Sequence, residues 1–267
     1  MKSSLIKILL MVLPSVLWAQ SKVIFPKTKH NFIVIAHRGF HIDAPENTIE
    51  ALKKAIELGV DYVEVDVRST LEGVPVVMHD ANLERTTDGT GKVSTISTVD
   101  FQNLKIKDTA INPPTFSSFL MEASGKINLY LDIKDASPEK IISMLDKYQM
   151  RERVIIYCSA SQVIEWKKLA PSIPVMTSPF PNLKSPTDFE SFLLSFPASA
   201  LDGNIRTYKP DVLNKLTEIN VPVWLDVLGK DDNEQGWKMA IDLNINALQT
   251  DNPKALIDYL TKNNLRK

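Results

Sequence analysis

From residue 32 onward, short β-branched runs alternate with stretches of helical period. A chain built this way is confined to a mainly parallel sheet with crossover helices. The runs are Phe32–Ala36, Tyr62–Val67, Val74–Met78, Leu129–Ile133, Val154–Tyr157, Val175–Ser178, Ala198–Asp202, Val221–Asp226 and Ala247–Thr250. Helical patterns lie between most of them, over Thr48–Leu58, Phe116–Ala123, Pro138–Tyr148, Gln162–Leu169, Asp188–Leu194, Asp211–Ile219, Glu234–Leu243 and Pro253–Lys262. The first places Ile49, Leu52, Ala55 and Ile56 on one face, with Gly59 as its C-terminal stop.

Eight helices and eight strands make a TIM (β/α)8 barrel, and one strand is surplus. Val74–Met78 follows its predecessor too closely for a parallel crossover, so the two form an antiparallel hairpin. With the turn at Thr70–Gly73, position 69 faces 74 and His79 stands opposite Glu64, on the same face. After this added strand, residues 81–113 are rich in Thr, Gly, Asn and Asp and lack a long apolar period, which predicts a loop-rich insertion. The expected domain is single and runs over residues 30–265.

Residues 1–19 have Lys2 and Lys7 ahead of or within an apolar run interrupted by Pro14, then Ala19 before polar Gln20. This is the layout of a cleavable secretory signal, too short to span a bilayer comfortably. It predicts a periplasmic or secreted protein with no stable membrane anchor once the leader is removed. The balance of 31 basic and 32 acidic residues, net charge -1, provides no field for nucleic acid. Cys158 is the only cysteine, which excludes an intramolecular disulfide and a cysteine metal cage; in the run RVIIYCSA it reads as a small buried hydrophobe.

Chemistry concentrates between Phe32 and Asp80. Glu64 and Asp66 alternate with Val63, Val65 and Val67, so both carboxylates leave one strand face about 6.5 to 7 Å apart. Taken alone, this pattern is more often a solvated face. With the valines facing the helix layer, the acids face the barrel interior, where a hard cation such as Mg²⁺ or Ca²⁺ is the simplest resolution of their repulsion. Asp132 and Lys134 repeat the geometry on the next barrel strand, adding a third carboxylate and a point charge suited to a phosphate oxygen. As a pair they also read as a structural ion pair.

His37 and Arg38 close the first strand, where barrel enzymes carry their catalytic groups, and Gly39 turns the chain. Two histidines, His37 and His79, beside metal-type carboxylates point to acid–base chemistry. In the stretch APENT, Asn47 is a candidate N-cap and Glu46 could cap, orient His37 or touch the ion. His41 is assigned no role. Trp224 and Asp226 alternate inward late in the chain; an indole at the mouth offers a wall to an apolar or choline-like alcohol, although core packing is the commoner fate of such a residue.

Taken together, HRG, PENT, E-x-D-V, P-V-V-x-H-D followed by LERTTDGTG, PTF, L-x-D-I-K, the late Trp strand and QTDNP resemble the glycerophosphodiester phosphodiesterase family. The resemblance runs from about Val34 to Asp251. It implies a TIM barrel that hydrolyses glycerophosphodiesters to glycerol 3-phosphate and an alcohol with one divalent cation. By motif, His37 and His79 correspond to the acid–base pair, Glu64 and Asp66 to metal ligands, Arg38 and Lys134 to phosphate contacts, and Glu46 to a supporting acid. The family's third ligand is usually glutamate; here it is Asp132, one methylene shorter.

Two other readings use the same residues. A phospholipase C or D type enzyme would act on intact lipid, but would need an apolar rim where residues 82–112 are mostly polar. A secreted barrel that binds phosphodiesters without turnover would not need two histidines.

Overall fold

Eight parallel strands close into a ring in the computed structural model, which describes residues 23–267. In chain order the strands are β1 (Ile33–Ala36), β2 (Tyr62–Ser69), β3 (Pro75–Val77), β4 (Asn128–Ile133), β5 (Val154–Tyr157), β6 (Val175–Thr177), β7 (Ala200–Asn204), β8 (Val223–Asp226) and β9 (Ala247–Thr250). β1 pairs with both β2 and β9, which closes the ring, and β3 lies outside it, antiparallel to β2. The TIM barrel with an added hairpin strand is therefore the observed architecture. The leader expected over residues 1–19 lies outside the described residues. No described helix is long and apolar enough to cross a membrane.

The helices begin and end where local chemistry directs. They are α1 (Ile49–Leu58), α2 (Thr98–Asn103), α3 (Phe116–Ala123), α4 (Pro138–Lys147), α5 (Val163–Leu169), α6 (Pro186–Ser195), α7 (Pro210–Glu218), α8 (Glu234–Asp242) and α9 (Pro253–Lys262). Four of them open on proline, whose missing N–H has no helical partner to lose at that position. Gly59 ends α1 in the left-handed region at φ 78, as its position predicted. The N-cap of α1 is Thr48, whose hydroxyl accepts from Ala51 N, and not Asn47.

Strand alternation sorts the core into two parts. Val63, Val65 and Val67 face outward into the main cluster with helix residues such as Leu52, Ala55 and Phe119. Inside the ring, Ile35, Tyr62, Tyr130, Ile155, Met176, Ala200, Trp224 and Ala247 form a separate apolar plug. Trp224 belongs to this plug, 4% exposed, with its ring 5.0 Å from Tyr62 and 6.0 Å from Phe25. The wall at the mouth expected of it is not there. Trp224 points into the barrel as the alternation predicted, but too deep, because its height along the axis depends on strand stagger. Cys158 is buried, and burial pushes its thiol up to about 12.

The hairpin register is one residue from the expected one. Val67 pairs with Val77 and Ser69 with Pro75, because Thr70 N bonds Val74 O across a turn of Leu71, Glu72 and Gly73. Gly73 adopts φ 67, which places the extra residue in the turn. His79 therefore lies beyond the ladder instead of opposite Glu64. Residues 81–113 also hold more structure than a loop: Leu83, Val93 and Phe101, the last from α2, pack with Val76 and Met78 of the hairpin in a small separate core. Apolar residues spaced this irregularly leave no period to detect.

Candidate active site

The carboxyl ends of the strands enclose a cleft of about 130 Å³ lined by His37, Glu64, Asp66, His79, Asp132 and Lys134, with Tyr157, Asp202, Asp226 and Gln249 opposite. A larger cavity of about 880 Å³ lies at the other end of the barrel, against Val23–Lys27 and the starts of β4 and β5. It contains none of these groups.

Glu64 and Asp66 are buried, and Asp132 stands on the neighbouring strand, paired in register with Asp66. Each of the three offers an oxygen, and these oxygens all lie within 4.8 Å of one another. Oxygens around a hard divalent ion at about 2.0 to 2.6 Å subtend separations of this size. The shorter side chain of Asp132 thus still reaches the cluster, and the three residues could hold a metal ion. Burial raises Glu64 well above its usual range, and repulsion from Asp66 and Asp132 adds to it. Burial also raises Asp132, although Lys134 opposes it. Carboxylates that resist ionisation for want of positive charge are the donor set a divalent cation fits.

Three neighbours organise the cluster. Lys134 Nζ stands 3.0 Å from Asp66 Oδ1 and 2.5 Å from Asp132 Oδ2. Burial lowers its affinity for a proton, but the two aspartates outweigh this and hold it above its ordinary value, so it remains a cation. The backbone N–H of Arg38 donates to Glu64 Oε2 over 2.9 Å, from a left-handed residue at φ 56. The next residue must be glycine: at φ 83 a Cβ on Gly39 would meet Ala51 at 2.8 Å. Asn47, also left-handed at φ 57, grips Asp66 from two sides, donating from Nδ2 to Oδ2 at 2.7 Å and accepting from Asp66 N at 3.2 Å. Its place before a helix suggested a cap; its actual use is as a clamp.

Both imidazoles are backed by a carboxylate. His37 Nδ1 lies 2.7 Å from Asp251 Oδ1, and its Nε2 is 4.0 Å from Glu64 Oε2. Burial pushes Asp251 up, but its interactions with His37, His41 and the Gly229 N–H together outweigh this and keep the carboxyl below its ordinary value. His79 Nδ1 lies 2.6 Å from Asp80 Oδ1, and Arg85 holds Asp80 far below the usual carboxylate range. Ionised carboxylates only accept, so Nδ1 donates in both cases and Nε2 is left free for the cleft. His41, which sequence reading set aside, sits against this pair: its Nδ1 donates to His37 O at 2.7 Å and its Nε2 is 3.5 Å from Asp251.

Glu46 supports the site indirectly. Burial raises it, but Arg85 and Arg38 together bring it below its ordinary value. Arg85 also reaches Asp80, so one guanidinium from the insertion ties Glu46 to the residue behind His79. Arg38 Nη1 donates to Glu46 at 3.0 Å and its Nε lies 3.5 Å from Asp66. Of the sequence-predicted residues, the structure gathers all but Trp224 around the cleft. Asp251, Asp80, Arg85 and Asn47 were not assigned a role there from sequence, although QTDNP, the histidine–aspartate pair, LERTTDGTG and PENT contained them.

A profile of the Glycerophosphoryl diester phosphodiesterase family matches residues 37–255. A glycerophosphodiester phosphodiesterase of Caldanaerobacter subterraneus subsp. tengcongensis is 29% identical over 249 residues, 86% of this chain and 98% of its own length. Glycerophosphodiester phosphodiesterase 1 of Homo sapiens is 41% identical over 86 residues, 32% of this chain and 25% of its own. Among solved structures, a glycerophosphodiester phosphodiesterase of Agrobacterium tumefaciens superposes with TM-score 0.74 at 23% identity, covering 85% of this chain and 99% of that one. A phosphodiesterase of Oleispira antarctica in complex with the product sn-glycerol-3-phosphate superposes with TM-score 0.76 at 20% identity, covering 86% and 96%.

Proposed function

The chain belongs to the glycerophosphoryl diester phosphodiesterase family of phosphoric diester hydrolases, and from that membership we propose how its own residues work. Glycerophosphodiesters are cleaved to glycerol 3-phosphate and an alcohol, with Glu64, Asp66 and Asp132 as ligands of one Mg²⁺ or Ca²⁺ ion. The observation that carries this reading is the convergence of three carboxylates and two carboxylate-backed imidazoles on one cleft. A divalent ion held there supplies a Lewis acid for the phosphoryl oxygens.

The protein's own part is positioning and proton transfer. One of His37 and His79 takes a proton at Nε2 from the attacking oxygen as the new P–O bond forms. The other returns a proton to the alcohol oxygen as the old bond breaks. Lys134 and Arg38 offset charge on the nonbridging oxygens, and Glu46 keeps Arg38 in place. The catalytic domain is residues 30–265, and with a leader over residues 1–19 the reaction runs in the periplasm or outside the cell.

Product analysis tests the reading. With glycerophosphocholine the expected products are glycerol 3-phosphate and choline. Glycerol with phosphocholine, or activity on phospholipid vesicles and none on soluble diesters, would contradict it. His37→Ala and His79→Ala should each reduce turnover by about 10²-fold or more.

A further inference from the structure

Asp251 backs His37, and the group that holds Asp251 lies in the loop between β8 and α8. There the chain makes a short 3₁₀ turn over Gly229–Asp231, and Asp232 follows it. Asp232 does not line the cleft. Its carboxylate reaches across to the end of β9 and accepts from three consecutive residues. Thr250 Oγ1 stands 2.7 Å from Oδ1 and 2.9 Å from Oδ2. The backbone N–H groups of Asp251 and Asn252 donate to Oδ2 at 2.8 and 3.0 Å. A fourth donor, the indole N–H of Trp237 in α8, meets Oδ1 at 2.8 Å. Trp237 is buried, so this bond ties the carboxylate to the helix layer.

Helix capping does not account for this arrangement. Asn233 caps α8, accepting from Gln235 N and Gly236 N, and Asn252 caps α9, accepting from Ala255 N. Asp232 instead directs its lone pairs at the segment that presents Asp251. With the N–H of Asp251 and that of Asn252 both anchored, the two peptide planes flanking the Asp251 Cα are anchored, and the direction of its side chain follows. The same loop also approaches the carboxylate itself, where Gly229 N–H stands 3.4 Å from Asp251 Oδ2. We propose that Asp232 is a positioning residue of the reaction, holding Asp251 where it orients His37. The contacts run from α8 through Asp232 and Asp251 to His37 Nδ1. The inference deepens the functional reading above and rests on the role given there to His37.

The test is a double-mutant cycle on glycerophosphocholine turnover, with a spectroscopic readout beside it. Asp232→Ala should lower kcat by about tenfold or more, the cost of misplacing a group that does not itself react, and leave KM within about twofold. In the Asp251→Asn background, where His37 has already lost its orienting carboxylate, the same substitution should change kcat by no more than about twofold. In protein isotope-labelled at histidine, the downfield Nδ1 proton of His37, identified by its loss in Asp251→Asn, should shift or vanish in Asp232→Ala. A kcat loss of equal size in both backgrounds would make Asp232 a purely structural residue and overturn the proposal. So would a His37 proton that Asp232→Ala leaves unchanged. Should Asp232→Ala not fold, Asp232→Asn, which preserves side-chain volume, takes its place in the cycle, because its NH₂ must face either the Trp237 N–H or the backbone N–H pair. Failure of the wild type to release glycerol 3-phosphate would count against the functional reading, while the His37 proton still decides whether Asp232 positions Asp251.

Discussion

Asp251 and His37 lie 214 residues apart in the chain, yet Oδ1 of one stands 2.7 Å from Nδ1 of the other. Ring closure brings them together: β1 pairs with β9, and His37 N bonds Thr250 O at 3.1 Å. The contact fixes which imidazole nitrogen faces the cleft. Asp251→Asn should lower kcat by about 10²-fold or more, because an amide no longer dictates the tautomer. KM and the thermal midpoint should hold, since neither substrate contacts nor the core change. Steady-state kinetics with thermal denaturation checks this, and a loss confined to KM would contradict it.

Asn47 holds Asp66 from both sides. Asn47→Gly keeps the left-handed backbone and removes the clamp. Metal affinity should fall by about 10- to 100-fold, the usual effect of losing a partner that orients a ligand. Titration of the apoprotein with Mg²⁺ or Ca²⁺ measures it; unchanged affinity means that Asp66 needs no such support.

Trp224 packs against Tyr62 and Phe25, away from the cleft. Trp224→Ala should destabilise the fold by about 3 to 5 kcal/mol through the cavity it leaves. Trp224→Phe, which refills much of that space, should leave KM for glycerophosphocholine unchanged. A KM that rises with Trp224→Phe would return the indole to the substrate site.

Burial pushes Asp202 up to about 6, with the buried Asp226 raised beside it. Between about pH 4, the unfolded value, and that folded value, the native protein binds more protons than the unfolded chain. This contribution to stability is thus full at low pH and lost as pH rises through the window. Asp202→Asn removes it. The thermal midpoint of the variant, relative to wild type, should rise from pH 4 to pH 7 in chelator; a difference independent of pH would show that Asp202 ionises normally.

What could be read from sequence followed from period and chain order. The alternation of Glu64 and Asp66 with three valines put the acids inside the barrel, because a period of two determines the face regardless of the partner strand. Depth and register depend on neighbours. Trp224 faced the right way at the wrong height, and one extra residue in the turn at Gly73 shifted the hairpin ladder by one. Asn47 and Asp251 are types that serve as caps and turns wherever they occur, so their role became visible only with the residue across the ring. Asp202 and Gln249, which reach the cleft from β7 and β9, had no local signature at all.

The account depends on a metal ion at Glu64, Asp66 and Asp132. The direct measurement is glycerol 3-phosphate release from glycerophosphocholine by purified protein before chelation, after exhaustive treatment with EDTA, and after returning Mg²⁺ or Ca²⁺. Turnover should collapse on chelation and recover with the ion, and Asp132→Ala should raise the concentration of ion required. Turnover undiminished in the chelated protein would contradict the account.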